Sequence, residues 1–159
     1  MNNIFEIKKF YIIIFIFSLL SLLIALYIEF YLGYSPCKLC IYQRIPYLLT
    51  IFITLLGISY YKNLVWLYLL LMTFFSSLLL SGYHFGIEQE IFSEFSGCTG
   101  NSINITDKNK LLELLNSEIN SCKNVDFRIL GLSLATINFL LSFLIFVLIL
   151  KVIKNEKTK

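Results

Sequence analysis

The chain has 159 residues, of which 58% are apolar and 14% are charged, and its mean hydropathy is +0.79. It is too short for several domains and too apolar for an ordinary soluble domain, so we predict one all-α integral membrane domain over residues 1–159. The formal net charge of +3 reflects lysines near the chain ends and does not indicate a nucleic-acid surface. We therefore expect a lipid bilayer, and no nucleic acid, among its partners.

Four apolar runs are long enough to cross a bilayer core of about 30 Å, which requires roughly 20 residues of helix. The predicted spans are approximately residues 10–32, 41–61, 64–83 and 129–153. A signal peptide is the alternative for the first run, because Lys8 and Lys9 precede it. That run exceeds the usual signal-peptide core of about 7–15 residues, and no small-residue cleavage site follows it. We therefore expect a retained helix and a bundle of four transmembrane helices.

Four spans place both termini on one side of the membrane. Seven basic residues lie in short segments on that side, and six lie on the other side, mostly in one long loop. The charge of a long loop has little influence on orientation, so this distribution favours cytoplasmic termini. The outer side then holds a short loop at residues 33–40 and a long loop at residues 84–128.

All four cysteines fall in these two outer loops. Cys37 and Cys40 form a Cys-x-x-Cys pair in the short loop, and Cys98 and Cys122 lie in the long loop. An even number of cysteines on the outer side indicates disulfides. A structural Cys98–Cys122 disulfide, closing about 25 residues and contributing roughly 3.5 kcal/mol, is one alternative.

The second span is predicted to begin near Cys40, because Pro36 disfavours helix in the residue before it. A thiol at a helix N-terminus is stabilised as thiolate by backbone N–H groups, so Cys40 is expected to be the reactive cysteine. Arg44 follows four residues later, on the same helical face. An arginine costs about 2.5–3.5 kcal/mol at the centre of a membrane helix, which favours a functional role. It would offset a thiolate or bind a polar ligand group; the alternative is a topology anchor that reaches the interface.

The segment PCKLCIYQRIP at residues 36–46 resembles the DsbB family of disulfide-generating membrane proteins. YHFGIE at residues 83–88, the second cysteine pair and the four-span layout extend the resemblance over nearly the whole chain. A Cys-x-x-Cys motif alone is weak evidence. Its combination with Arg44 and with a second cysteine pair in the next outer loop is specific.

The resemblance implies a role for each matching residue. Cys98 would form a mixed disulfide with a soluble, thioredoxin-like periplasmic oxidase of the DsbA type, and Cys122 would exchange with Cys37. Electrons would then pass from Cys40 to a membrane quinone, either ubiquinone or menaquinone, which Arg44 would help to hold. The implied location is the bacterial inner membrane.

A quinone acceptor also fits the energetics of disulfide exchange. A DsbA-like partner has a reduction potential near −120 mV, whereas structural disulfides lie below about −300 mV. Oxidising such a partner with an ordinary disulfide would be unfavourable by roughly 8 kcal/mol. The cysteine pairs therefore need an unusually high potential or continual oxidation by a strong acceptor.

Several other residues have two interpretations. His84, the only histidine, either relays protons to a reduced quinone or is satisfied by water or a carbonyl group. Glu29 either pairs with Arg44 or meets lipid headgroups, and we expect headgroups. Five apolar residues predict a short amphipathic helix in the long loop, which lies either on the membrane surface or on the loop's own core: Leu111, Leu112, Leu114, Leu115 and Ile119. Three aromatic residues are expected to be interfacial or packing residues: Tyr42, Tyr47 and Trp66.

Three other classes of protein are less consistent with the sequence. A vitamin K epoxide reductase-like enzyme carries its active pair in a later helix. A tetraspanin-like organiser has a disulfide-bonded outer loop but also a Cys-Cys-Gly motif, which this chain lacks. A four-cysteine zinc site would require a second close pair, whereas 23 residues separate Cys98 from Cys122. We therefore predict no metal site, and a disulfide-stapled organiser without redox turnover is the alternative function.

Overall fold

A computed structural model describes residues 2–93, 128–129 and 131–158. Its main elements are helices α1 (Asn2–Phe30), α2 (Lys38–Tyr42), α3 (Arg44–Ser59), α4 (Val65–Glu88) and α5 (Leu134–Lys157). Four segments are long and apolar enough to cross a membrane: Glu6–Phe30, Lys38–Ser59, Val65–Glu88 and Leu134–Lys157. The predicted all-α membrane fold of four transmembrane helices is confirmed.

A two-stranded antiparallel hairpin precedes α5. Its strands are β1 (Arg128–Ile129) and β2 (Leu132–Ser133), and Ile129 is paired with Leu132. Gly131 lies in the connecting turn at a φ of +81°, a backbone conformation that side chains with a Cβ rarely adopt. The hairpin brings the chain directly to the first turn of α5.

The second membrane segment is interrupted near its start, between α2 and α3. Pro46 explains the interruption, because it has no backbone N–H to donate to the carbonyl group of Tyr42 four residues earlier. Gln43 occupies the junction with φ −66° and ψ −16°, and its backbone N–H still bonds to the carbonyl oxygen of Leu39 at 3.0 Å. The junction turns the side chain of Gln43 into the bundle, where it is buried.

The apolar core lies between α1, α4 and α5. Its buried residues recur every three or four positions, as expected for helix faces that pack together. The members are Tyr11, Ile14, Leu67, Leu70, Phe74, Ile145, Ile149 and Ile153. On the opposite faces large apolar side chains are exposed, among them Phe52 (64%) and Met72 (65%). Such exposure is suited to contact with lipid.

Small polar residues form a second buried layer between the helices. Thr50, Thr54 and Ser81 each donate a hydrogen bond of 2.8 Å to the carbonyl oxygen four residues earlier. Ser77 and Ser142 bond to each other at 3.0 Å between α4 and α5. Their small size permits close helix packing, and their hydroxyl groups are satisfied without water.

Candidate functional site: a cysteine pair at the start of a membrane helix

The two cysteines of the first pair lie within one helical turn. Cys37 is the N-cap of α2, where its sulfur accepts a hydrogen bond of 3.3 Å from the backbone N–H of Cys40. The two Sγ atoms are 3.0 Å apart, longer than the roughly 2.05 Å of a disulfide bond, so they are in contact but not bonded to each other. Cys37 is buried and Cys40 is partly exposed. The sulfur atoms are therefore positioned to form a bond after a small movement.

The sequence-based position of the helix start was wrong by two residues. We expected the helix to begin near Cys40, but α2 begins at Lys38 and Cys37 caps it. Pro36 restricts the residue before it and does not delay the helix beyond Cys37. The helix N-terminus therefore stabilises negative charge on Cys37, and Cys40 lies within the first turn.

His84 contacts Cys37 because α4 continues through residue 84 to Glu88. Its Nε2 atom lies 3.7 Å from Cys37 Sγ and 3.7 Å from Glu88 Oε1, and its Nδ1 atom lies 3.0 Å from Gln43 Nε2. The ring is only 3% exposed. The structure thus brings His84 to the cysteine pair, where its ring nitrogens lie close to the side chains of Cys37, Gln43 and Glu88.

Arg44 forms an ion pair with Glu29 from the end of α1. The distance from Arg44 Nη1 to Glu29 Oε2 is 2.5 Å, and the two side chains are 20% and 26% exposed. The expectation that Glu29 meets headgroups was therefore wrong, because the arginine attracts the carboxylate across the helix interface. The pair lies at the rim of the bundle, at the first residue of α3.

A chain of buried side chains leads from His84 into the bundle. Gln43 bonds to His84 on one side, and Asn138 Nδ2 donates to Gln43 Oε1 at 2.9 Å on the other. Asn138 Oδ1 accepts hydrogen bonds from Tyr47 and Ser142. Tyr47, expected to be an interfacial or packing residue, is buried and packs its ring against Phe17 and Phe74, and it also donates a hydrogen bond in this network. We did not predict the roles of Gln43 and Asn138.

A partial signal for this network is present in the sequence. Polar residues recur at helical spacing within two apolar spans, at Ser77, Ser81, His84 and Glu88 in α4 and at Asn138 and Ser142 in α5. Such spacing predicts a polar helix face that points inward. The other two aromatic residues behave as expected: Tyr42 is half exposed, and Trp66 stacks on Tyr60 with ring centroids 6.3 Å apart.

The segment that precedes α5 also returns to the dithiol site. Ser133 is the N-cap of α5, where it accepts a bond of 3.1 Å from Thr136 N–H, and it donates a hydrogen bond to Glu88. The start of α5 therefore lies beside Glu88, close to His84. Cys98, Cys122 and the predicted helix at residues 111–119 lie outside the described residues.

The dithiol and His84 also offer three possible metal ligands. The sulfur atoms of Cys37 and Cys40 and a ring nitrogen of His84 all lie within 4.8 Å of one another. Two thiolates in a tetrahedral zinc site, each about 2.3 Å from the metal, would be roughly 3.8 Å apart. The observed sulfur separation of 3.0 Å suits a reversible disulfide better.

These features define a class of protein: a multi-pass membrane protein with a Cys-x-x-Cys pair at the start of its second membrane segment. Comparison with known proteins identifies the family. Residues 7–152 match the family model of the disulfide bond formation protein DsbB. The chain is also 33% identical over 130 residues to the uncharacterized protein RP370 of Rickettsia prowazekii (strain Madrid E), an alignment that covers 79% of this chain and 75% of that protein. The chain belongs to the DsbB family of bacterial multi-pass membrane proteins and is thus a thiol oxidoreductase of disulfide-bond formation.

Proposed function

We propose that this protein generates disulfides de novo by reoxidising a periplasmic DsbA-like thiol oxidase and passing the electrons to a membrane quinone. The observation that carries the proposal is the Cys37–Cys40 dithiol at the start of a membrane segment, with the Arg44–Glu29 ion pair at the beginning of the next helix. A dithiol placed there is close to soluble partners and to lipid-dissolved acceptors at the same time.

In the first half-reaction, a thiolate of the partner attacks Cys98 in the Cys98–Cys122 disulfide. Cys122 leaves as a thiolate and attacks Cys37 in the Cys37–Cys40 disulfide, which releases Cys40. The partner's second thiol then displaces Cys98, so that the partner leaves with its disulfide formed. Cys98 next attacks Cys122, re-forms the loop disulfide and releases Cys37. Two electrons and two protons now reside on the Cys37–Cys40 dithiol.

The second half-reaction restores the Cys37–Cys40 disulfide. A membrane quinone, when bound, supplies an acceptor for two electrons and two protons. The exposed apolar side chains Ile41 and Ile45 beside Cys40 provide a lipid-facing surface for such a molecule. The guanidinium group of Arg44 carries five N–H donors, so its ion pair with Glu29 leaves capacity for a carbonyl oxygen. His84, beside Cys37, is the candidate group for moving a proton away from the dithiol.

We further propose that the protein lies in the bacterial inner membrane with both termini in the cytoplasm. The basic residues near the two chain ends support this orientation. The domain would then span residues 1–159, with outer loops at residues 33–40 and 84–128 facing the periplasm. In this arrangement all four cysteines face the periplasm, the compartment in which disulfides form.

Stopped-flow measurement of quinone reduction tests the proposal. The purified full-length protein is mixed with a reduced thioredoxin-fold oxidase and either a ubiquinone or a menaquinone analogue. We expect turnover in the wild-type protein and in Ser59→Ala, an exposed control at the far end of α3, and no turnover in Cys37→Ser or Cys40→Ser. If neither quinone is reduced while the partner stays reduced, the proposal is wrong and a disulfide-stapled organiser becomes the better explanation.

A further inference from the structure

The side-chain amides of Gln43 and Asn138, which lie between His84 and the bundle interior, have a defined orientation. Asn138 Oδ1 is approached by Tyr47 Oη at 2.5 Å and by Ser142 Oγ at 3.2 Å. Both hydroxyl groups donate to this atom, and only the oxygen of an amide can accept from two such donors. Oδ1 is therefore the atom of Asn138 that faces these hydroxyl groups.

This orientation of Asn138 also fixes the orientation of the Gln43 amide, to which Asn138 is hydrogen-bonded. Asn138 Nδ2 donates to Gln43 Oε1 at 2.9 Å, so Gln43 must turn its Nε2 group towards His84. Gln43 Nε2 lies 3.0 Å from His84 Nδ1 and can only donate. Nδ1 must then be the acceptor, which means that it carries no proton.

The other ring nitrogen of His84 leads to the same conclusion. Nε2 lies 3.7 Å from both Cys37 Sγ and Glu88 Oε1, and both atoms accept hydrogen bonds. A proton on Nε2 is within hydrogen-bond reach of the sulfur, whereas 3.7 Å is too long for an N–H···O bond to Glu88, whose carboxylate acts on the ring through its charge. If the two amides were reversed, a neutral ring would carry its proton on Nδ1 and turn the lone pair of Nε2 towards the carboxylate oxygen of Glu88, which is repulsive. The contacts at the two ends of the ring therefore select the same tautomer.

We infer that Gln43, oriented by Asn138, is a positioning residue that keeps His84 neutral with its proton on Nε2, directed at the sulfur of Cys37. The inference rests on the proposed function in one respect, that Cys37 is a redox-active thiol. Cys37 then receives two N–H donors, one from the Cys40 backbone and one from His84. Both favour its thiolate, the form released when Cys98 attacks Cys122.

The single histidine makes this tautomer directly measurable. Protein labelled with ¹⁵N only in histidine, and purified through a tag without histidine, gives ring signals from His84 alone. Long-range ¹H–¹⁵N correlation spectra distinguish a protonated from a bare ring nitrogen and assign each one. We expect bare Nδ1 and protonated Nε2 in the wild-type protein. A protonated Nδ1 in the wild-type protein would overturn the inference.

Two isosteric variants test whether the amides are responsible. Gln43→Glu replaces the donor at Nδ1 with an acceptor. Asn138→Asp does not touch His84, but it removes the donor that orients Gln43, so that Gln43 turns its oxygen towards Nδ1. We expect protonated Nδ1 in both variants and the wild-type tautomer in Ser142→Ala, where Tyr47 still orients Asn138. A bare Nδ1 in both isosteric variants would overturn the positioning role.

Alkylation of Cys37 provides a second readout that needs neither partner nor quinone. In a background with Cys40, Cys98 and Cys122 changed to serine, only Cys37 reacts with iodoacetamide. Asn138→Asp should lower its rate at pH 7 about tenfold, because the thiolate loses one N–H donor. An unchanged rate would show that the proton on Nε2 does not act on Cys37. If the wild-type protein shows the expected tautomer but does not reduce quinone, the result would count against the proposed function alone.

Discussion

Arg44 and Glu29 are joined by an ion pair of 2.5 Å between α3 and α1, although fifteen residues separate them in the chain. A planar guanidinium group binds a carboxylate firmly and keeps further N–H donors for another oxygen. The pair is partly exposed at the rim of the bundle. Glu29 therefore both compensates the charge of Arg44 and restricts where its remaining donors point.

Replacing Glu29 with glutamine should weaken the binding of quinone without abolishing turnover. The neutral amide keeps the size of the side chain but releases Arg44 from its ion pair. We expect the apparent KM for quinone to rise about fivefold, which corresponds to roughly 1 kcal/mol for a partly exposed pair, with kcat little changed. Glu6→Gln, an exposed position on the same helix, is the matched control. An unchanged KM in Glu29→Gln would show that the ion pair does not orient Arg44 for quinone.

Changes at Arg44 itself should have a larger effect. We expect Arg44→Ala to raise the apparent KM for quinone by more than about tenfold, because a charge-assisted hydrogen bond is lost. Arg44→Lys should fall between alanine and the wild type, since lysine keeps the charge but not the planar set of donors. Steady-state kinetics at several quinone concentrations measure both values. Equal KM values in all three proteins would reduce Arg44 to a topology anchor.

The local parts of the site could be predicted from the sequence, whereas the contacts between helices could not. Cys37 and Cys40 are three residues apart, so their proximity could be predicted from one helical turn, whereas the interruption at Gln43 and the pairing of Arg44 with Glu29 could not. The pairing of Gln43 with Asn138 joins residues 95 positions apart, and the sequence does not reveal which helix faces meet. The start of α2 was predicted two residues too late for a different reason, because cysteine is not among the common N-cap residues.

Cys98 should be the cysteine that captures the soluble partner. This prediction stems from the family resemblance, and Cys98 lies outside the described residues. A thioredoxin-fold oxidase that lacks its second cysteine cannot resolve a mixed disulfide, so it should accumulate as a covalent complex with the protein. The partner thiolate attacks Cys98 in the proposed Cys98–Cys122 disulfide and Cys122 leaves, so we expect this complex with the wild-type protein and its absence in Cys98→Ser, as judged by non-reducing electrophoresis and peptide mapping. Capture through Cys122 alone would reverse the assignment.

Two glycines offer a matched test of helix packing, because an added methyl group meets an aromatic ring at both. A Cβ atom at Gly57 would lie 2.6 Å from Tyr11 Cε1, and one at Gly86 would overlap Phe92 Cδ2. The two rings differ in their freedom to move. Tyr11, on α1, is fully buried in the bundle, whereas Phe92 is 50% exposed and its ring can rotate away.

Gly57→Ala should therefore destabilise the bundle, and Gly86→Ala should not. Overpacking a buried contact costs typically 1–3 kcal/mol, whereas alanine gains up to about 1 kcal/mol over glycine within a helix. We expect Gly57→Ala to lower the free energy of unfolding by about 1–2 kcal/mol, and Gly86→Ala to leave it unchanged or to raise it slightly. Unfolding by SDS in mixed micelles, followed by circular dichroism, measures both variants. Equal stability of the two variants would mean that α1 and α3 do not pack as closely at Gly57 as the structure indicates.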